Sequence, residues 1–169
     1  QWMKNVSPTG WPLKLAPPVS HGLQENCTFA DLDHDGRLDA LQRTSSTEDL
    51  AGGRLVWRRR LGGDGLKFAD PVPVDGVTES DVTMASVSQV NGRTALVIQH
   101  NAFQHLAIYR QAKPRTKDDG RSPAAPRFER VGRAESPDAV LSLSDQAWPS
   151  LCDWENDGDQ DLLVGGGYG

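Results

Sequence analysis

A short pattern of residues returns along this chain at intervals of one small sheet, and that recurrence limits the fold more than any other feature. Leu13-Lys14-Leu15-Ala16 comes back 53 residues later as Leu66-Lys67-Phe68-Ala69, and each copy runs into a proline-rich segment, Pro17-Pro18-Val19 and Pro71-Val72-Pro73. Leu55-Val56-Trp57-Arg58 is matched by Ala107-Ile108-Tyr109-Arg110, with Phe68 and Phe128 following, and Trp2 stands in the same phase near the start. The turns Asp35-Gly36-Arg37, Asn91-Gly92-Arg93 and Asp157-Gly158-Asp159 each precede an apolar run, such as Ala95 to Ile98 or Leu162 to Val164. Eleven Pro and 17 Gly among short apolar runs break any long helix, so the repeating unit is built from strands and turns.

A unit of this size holds about four short strands, the content of one β-propeller blade packed radially on its neighbours. The expected fold is all-β, with blades of four antiparallel strands and about three repeats present. Residues 1–22 are expected to end one blade, 23–77 to form a blade with an acidic loop, 78–135 a degenerate blade without metal, and 136–169 the start of the next blade. A β-sandwich has similar strands and turns but does not require the same order of turn, strand, aromatic and arginine to return. The segment Lys113 to Pro126 is expected as a loop insertion between the third and fourth strands of its blade.

The turns at both ends are strongly acidic. Asp31, Asp33, Asp35 and Asp39 stand at positions 1, 3, 5 and 9 of the first loop, around Gly36 at position 6. In the second loop Asp153, Glu155, Asp157 and Asp161 stand at those positions, with Gly158 at position 6 and a further acid, Asp159, at position 7. Hard divalent cations take oxygen ligands, and alternating acids on a tight turn wrap several around one Ca²⁺. Glycine at position 6 permits the turn that returns position 9 to the ion and brings in the main-chain oxygen of position 7, Arg37 or Asp159. Two bound Ca²⁺ are therefore expected. The EF-hand is excluded, because position 12 is Gln42 or Val164 in place of a glutamate and no helical periodicity flanks either loop. The middle turn, Val87 to Ala95, has no carboxylate and is expected to hold no metal.

The segments DLDHDGRLDAL and DWENDGDQDLLVGGG resemble FG-GAP/VCBS-type repeats, which build the seven-bladed propeller of integrin α subunits and many secreted propellers. The resemblance spans nearly the whole chain, with its specific part in the two acidic loops. It implies a larger, about seven-bladed ring, an acidic Ca²⁺ loop between the first two strands of a blade, and an extracellular, secreted, periplasmic or cell-surface setting. It also implies a recognition or adhesion module whose ligand is a polysaccharide or an extracellular protein. The alternative it implies is the propeller portion of a secreted polysaccharide lyase or glycoside hydrolase.

No catalytic residue is assigned. His34 lies between ligand positions of the first loop, and His100 and His105 flank a short turn, none with a nucleophile or triad partner nearby in sequence. Lys and Arg total 18 against 23 Asp and Glu, a net charge of −5, and no concentrated basic face suggests nucleic-acid binding. Arg58 to Arg60 is expected as a solvated strand end. No apolar run approaches the roughly 18 residues of a membrane span, so no membrane insertion is expected. Cys27 and Cys152 form no metal-ligand spacing; they are expected as small buried residues, with one bridge between them as the oxidised alternative. About three repeats do not close a ring. The expected remedy is the rest of a longer propeller, or else a second copy supplying the complementary half-blades.

Overall fold

The computed structural model describes residues 3–23, 27–44, 53–63, 65–77, 82–90, 93–100, 106–113, 125–135 and 147–166. Ten strands lie within them: β1 (Cys27–Ala30), β2 (Asp39–Arg43), β3 (Leu55–Arg58), β4 (Val72–Pro73), β5 (Val82–Val90), β6 (Arg93–His100), β7 (Leu106–Gln111), β8 (Phe128–Arg133), β9 (Ala147–Cys152) and β10 (Asp161–Gly166). They form three antiparallel sheets in sequence order: β1-β2-β3-β4, β5-β6-β7-β8, and the pair β9-β10. The described residues contain no helix, hence none long and apolar enough to cross a membrane. Their sheets do not close into a ring.

The second strand of each four-stranded sheet is the most buried. Asp39 through Gln42 of β2 and Thr94 through Gln99 of β6 are buried without alternation, as expected for a strand covered on both faces. The outer strands β4 and β8 are mostly exposed. The third and fourth strands of the second sheet are joined across 112–127, the place expected for the insertion, most of which lies outside the described residues.

One apolar cluster joins the first two sheets. Leu41, Leu55 and Trp57 of the first meet Leu96, Ile98, Tyr109 and Phe128 of the second. The opposite face of the second sheet turns Ala95, Val97 and Ile108 toward the third, where they line an open hollow of about 520 Å³ with Leu151. Ser88 Oγ donates to Gln160 Oε1 across this junction at 2.6 Å.

The aromatic phase differs by one residue from the sequence alignment. Trp57 pairs with Leu41, five residues past Gly36; five past Gly92 is Val97, whose partner is Ile108. Ile108 therefore holds the position of Trp57. Tyr109 faces the other way and enters the shared core from the opposite sheet. The packing role expected for these aromatics stands, although they do not occupy equivalent sites; Trp2 lies outside the described residues.

Cys27 and Cys152 are both half-buried free thiols. Burial pushes the Cys27 thiol up to about 11, the nearby Arg58 charge offsetting this only in part. Alkylation depends on the thiolate, so at pH 8 Cys27 should react at least about tenfold more slowly in the folded chain than in urea. Peptide mapping after timed alkylation checks this, and equal rates would contradict it.

Candidate metal centre

The first acidic loop leaves β1 at Asp31 and enters β2 at Asp39, so its shape is anchored by the first pair of strands. Its carboxylates fold the backbone around themselves. Asp31 Oδ1 accepts the Asp35 N–H at 3.0 Å and Asp31 Oδ2 accepts the Gly36 N–H at 2.9 Å. Asp35 Oδ1 accepts the Arg37 N–H at 3.0 Å, and Asp39 Oδ2 accepts the Leu32 N–H at 3.3 Å. Positions 4 and 6 take left-handed backbone, with φ of 60° at His34 and 81° at Gly36. That region is open to glycine but uncommon for histidine.

The second loop, 122 residues on, repeats these four hydrogen bonds. Asp153 Oδ1 and Oδ2 accept the N–H groups of Asp157 and Gly158, both at 3.0 Å. Asp157 Oδ1 accepts the Asp159 N–H at 3.0 Å, and Asp161 Oδ2 accepts the Trp154 N–H at 2.8 Å. The left-handed residues are Asn156 at 59° and Gly158 at 96°. Each Cα pairing of β1 with β2 also recurs between β9 and β10 at the same offset, from Ala30↔Asp39 and Cys152↔Asp161 onward.

Electrostatically the loops differ. Asp31, Asp33 and Asp39 each place a carboxylate oxygen within 4.8 Å of the others, the group among the described residues that can hold a metal ion. Arg59 reaches them from beyond β3: its Nε donates to Asp33 Oδ2 at 2.5 Å, and a terminal nitrogen donates to Asp35 Oδ2 at 3.2 Å. Arg37 also pairs with Asp35. Partial desolvation pushes Asp35 up, but the Arg37 amide and the Arg37 and Arg59 charges outweigh it and hold the carboxyl below its usual range. Burial raises Asp39, although the Arg60 N–H donates to its Oδ1 at 2.7 Å.

Among the described residues no Lys or Arg forms an ion pair with the second loop. A hydrogen bond that the protonated Glu155 carboxyl donates to Asp161, together with the Asp161 charge, raises Glu155, and the charge of Asp157 is the main cause raising Asp159. The second loop thus has the backbone of the first without its guanidinium partners. Sequence reasoning missed Arg59 and Arg60, treating them as a solvated strand end. The available signal was their place directly after the strand that pairs with β2.

The sequence-predicted residues fall as follows. Asp31, Asp33 and Asp39 converge, whereas Asp35 turns to Arg37 and Arg59. Asp153, Glu155, Asp157, Asp159 and Asp161 share one loop on the second pair of strands. His34 is a backbone hinge of the first loop, the side chain of His100 and the whole of His105 lie outside the described residues, and so do Asn91 and Gly92 of the middle turn. The all-oxygen donor set of the first loop fits a hard divalent cation such as Ca²⁺ or Mg²⁺ and offers no sulfur or imidazole for a softer one. Comparison with known proteins gave no matching family model, no matching curated protein and no matching solved structure.

Proposed function

We propose that the chain is a segment of a calcium-binding β-propeller of the FG-GAP/VCBS type, serving extracellular recognition or adhesion. The observation that carries this reading is the duplicated loop, whose hydrogen bonds and left-handed positions agree between Asp31–Asp39 and Asp153–Asp161. Two turns 122 residues apart share these hydrogen bonds and left-handed positions, and both carry acids at positions 1, 3, 5 and 9. The first site would be held by Asp31, Asp33 and Asp39, completed by Asp35 and the main-chain oxygen of Arg37. In the second, Asp153, Glu155, Asp157 and Asp161 take the same parts, with the main-chain oxygen of Asp159. Bound Ca²⁺ supplies positive charge that offsets repulsion among these acids and ties the first strand of a sheet to its second. The polysaccharide or protein that such a module recognises is a proposal from the resemblance alone.

Calorimetry on the chelated chain should find two Ca²⁺ per molecule, with dissociation constants of about 10⁻⁴ to 10⁻³ M, the range of extracellular modules. At tenfold excess over the dissociation constant each site adds about 1.4 kcal/mol, raising the melting temperature by roughly 3–6 °C per site. No binding heat, together with equal melting in chelator and in Ca²⁺, would overturn the assignment.

A further inference from the structure

The first loop carries a cation of its own. Asp31, Asp33, Asp35 and Asp39 bring four carboxylates into nine residues, and two guanidinium groups, those of Arg37 and Arg59, pair with them. Arg59 is a fork with one prong on each of two acids: its Nε donates to Asp33 Oδ2 at 2.5 Å and a terminal nitrogen donates to Asp35 Oδ2 at 3.2 Å. Planar, fixed donors of this kind suit two neighbouring carboxylates in a way that the point charge of a lysine ammonium does not. These pairs are sheltered, since the side chains of Asp33 and Asp35 are only 11% and 17% exposed and that of Arg59 is 31% exposed. Solvent and salt screen them less than they screen an open surface pair.

Asp35 feels this most. Its Oδ1 accepts the Arg37 N–H at 3.0 Å, and its Oδ2 takes both the Arg37 side chain and Arg59. Both oxygens are therefore engaged, and Asp35 is the one first-loop acid outside the group whose oxygens lie within 4.8 Å of one another. Position 5 is a ligand position in loops of this spacing. A cation held by Asp31, Asp33 and Asp39 thus gains its fourth carboxylate only when Asp35 leaves the guanidinium groups. Until then the ion also lies near the Arg59 charge, which repels it.

On the reading of this loop as a cation site, we infer that Arg59 is its resident counter-ion, which competes with a divalent cation for Asp33 and Asp35 and so sets the affinity of the site. Binding is then an exchange. The ion takes Asp35, and the Arg59 guanidinium, already partly exposed, turns to solvent. Arg59 consequently acts with opposite sign in the two states. Without a divalent ion it stabilises the chain, because its charge offsets repulsion among the acids; with one present, the same charge weakens binding. A residue that only propped up the loop would help both states, and its loss would weaken fold and site together.

A Ca²⁺ titration of the full chain followed by NMR reads the two loops separately, because the Gly36 and Gly158 N–H groups are each bonded to an acid of their own loop. In R59Q the dissociation constant read at Gly36 should fall about tenfold, the effect of removing a unit charge from beside a divalent ion, while that read at Gly158 stays unchanged. R59K keeps the charge and should return the Gly36 value to within about threefold of the unsubstituted chain. In chelator R59Q should melt below the unsubstituted chain, and saturating Ca²⁺ should narrow that gap. The unsubstituted chain supplies a measurement that needs no variant: the guanidinium hydrogens of Arg59 should exchange with water roughly tenfold faster in saturating Ca²⁺ than in chelator. An equal or higher dissociation constant at Gly36 in R59Q, or equal guanidinium exchange in the two conditions, would overturn the inference while Gly158 still titrates and the cation reading stands. If neither glycine responds to Ca²⁺ in any of the chains, the cation reading fails and the inference with it.

Discussion

Asp39→Ala is expected to unfold the chain about 3 kcal/mol more easily and to remove cation binding at the first loop while leaving the second loop its own. The cost arises because Asp39 is fully buried at the start of β2 and accepts two backbone donors, the N–H groups of Leu32 and Arg60. Each buried donor left without a partner costs roughly 1–3 kcal/mol, and for a chain of this size the sum lowers the melting temperature by roughly 6–12 °C. Asp39→Asn separates packing from charge, since its amide oxygen still accepts one of these bonds. Burial raises the Asp39 carboxyl in the cation-free protein. A raised carboxyl favours the folded state below its unfolded pKa, and that advantage is lost as pH rises through its folded pKa. In chelator at neutral pH, Asp39→Asn should therefore cost much less than Asp39→Ala. In Ca²⁺ both variants should fall further behind the unsubstituted chain by the same amount, lacking the gain it receives at the first loop, while the gap between them stays as it is in chelator. Thermal melts of the three proteins in chelator and in Ca²⁺ test this; equal losses for Asn and Ala in chelator would show that the carboxylate charge is not the destabilising element.

The four-stranded sheets were legible in the sequence because strand order follows chain order, and local pairing needs only short turns. The Gly36 and Gly158 turns were legible too, since acids at alternate positions and a glycine at the sixth leave few shapes for the loop. Reading from aromatic to aromatic was one residue off in the middle sheet. Trp57 and Tyr109 look equivalent by size, but a strand alternates its faces, and they reach one core from opposite sheets. The role of Arg59 was hidden for a different reason. Its distance in sequence from Asp33 carries no signal, and the contact exists only because β3 pairs with β2 and carries the guanidinium back to the loop. The hairpin of residues 4–16, in which Val6 N donates to Lys14 O and Ala16 N to Lys4 O, matches the one following β3, in which Leu61 N donates to Lys67 O and Ala69 N to Arg59 O, and this match was visible in one arm, Leu13–Ala16. The other arm, Lys4–Val6 against Arg59–Leu61, shares no residue type, and only its backbone hydrogen bonds reveal it.

Gly76→Ala should be among the most damaging single-methyl changes in this protein, because Gly76 sits where the first sheet hands the chain to the second. Beyond β4, the Phe128 N–H donates to Asp75 O at 2.8 Å and the Asp75 N–H donates to Pro126 O at 3.2 Å. These bonds lay the connection in parallel alongside the start of β8, where Asp75 bridges Arg127. Gly76 follows with φ of 81°, and a Cβ built there would lie 1.9 Å from the Phe128 carbonyl oxygen. The obstacle is backbone, so it cannot rotate away as a flexible side chain could. Alanine must therefore both leave its preferred φ region, a strain of about 1–3 kcal/mol, and push the connection off β8. Phe128 is one of the largest fully buried side chains and belongs to the cluster joining the two sheets, so displacement of its backbone reaches the core directly. A total loss of about 4 kcal/mol is expected, lowering the melting temperature by roughly 8–16 °C. The control is Gly36→Ala, where φ is equally left-handed at 81° but nothing lies within 4 Å of the added Cβ; it should show the backbone strain alone, about 1–3 kcal/mol. Melting curves in chelator measure both without a contribution from bound cation. Equal losses in the two variants would mean that the seam between the sheets yields, and that the contact with Phe128 does not hold them together.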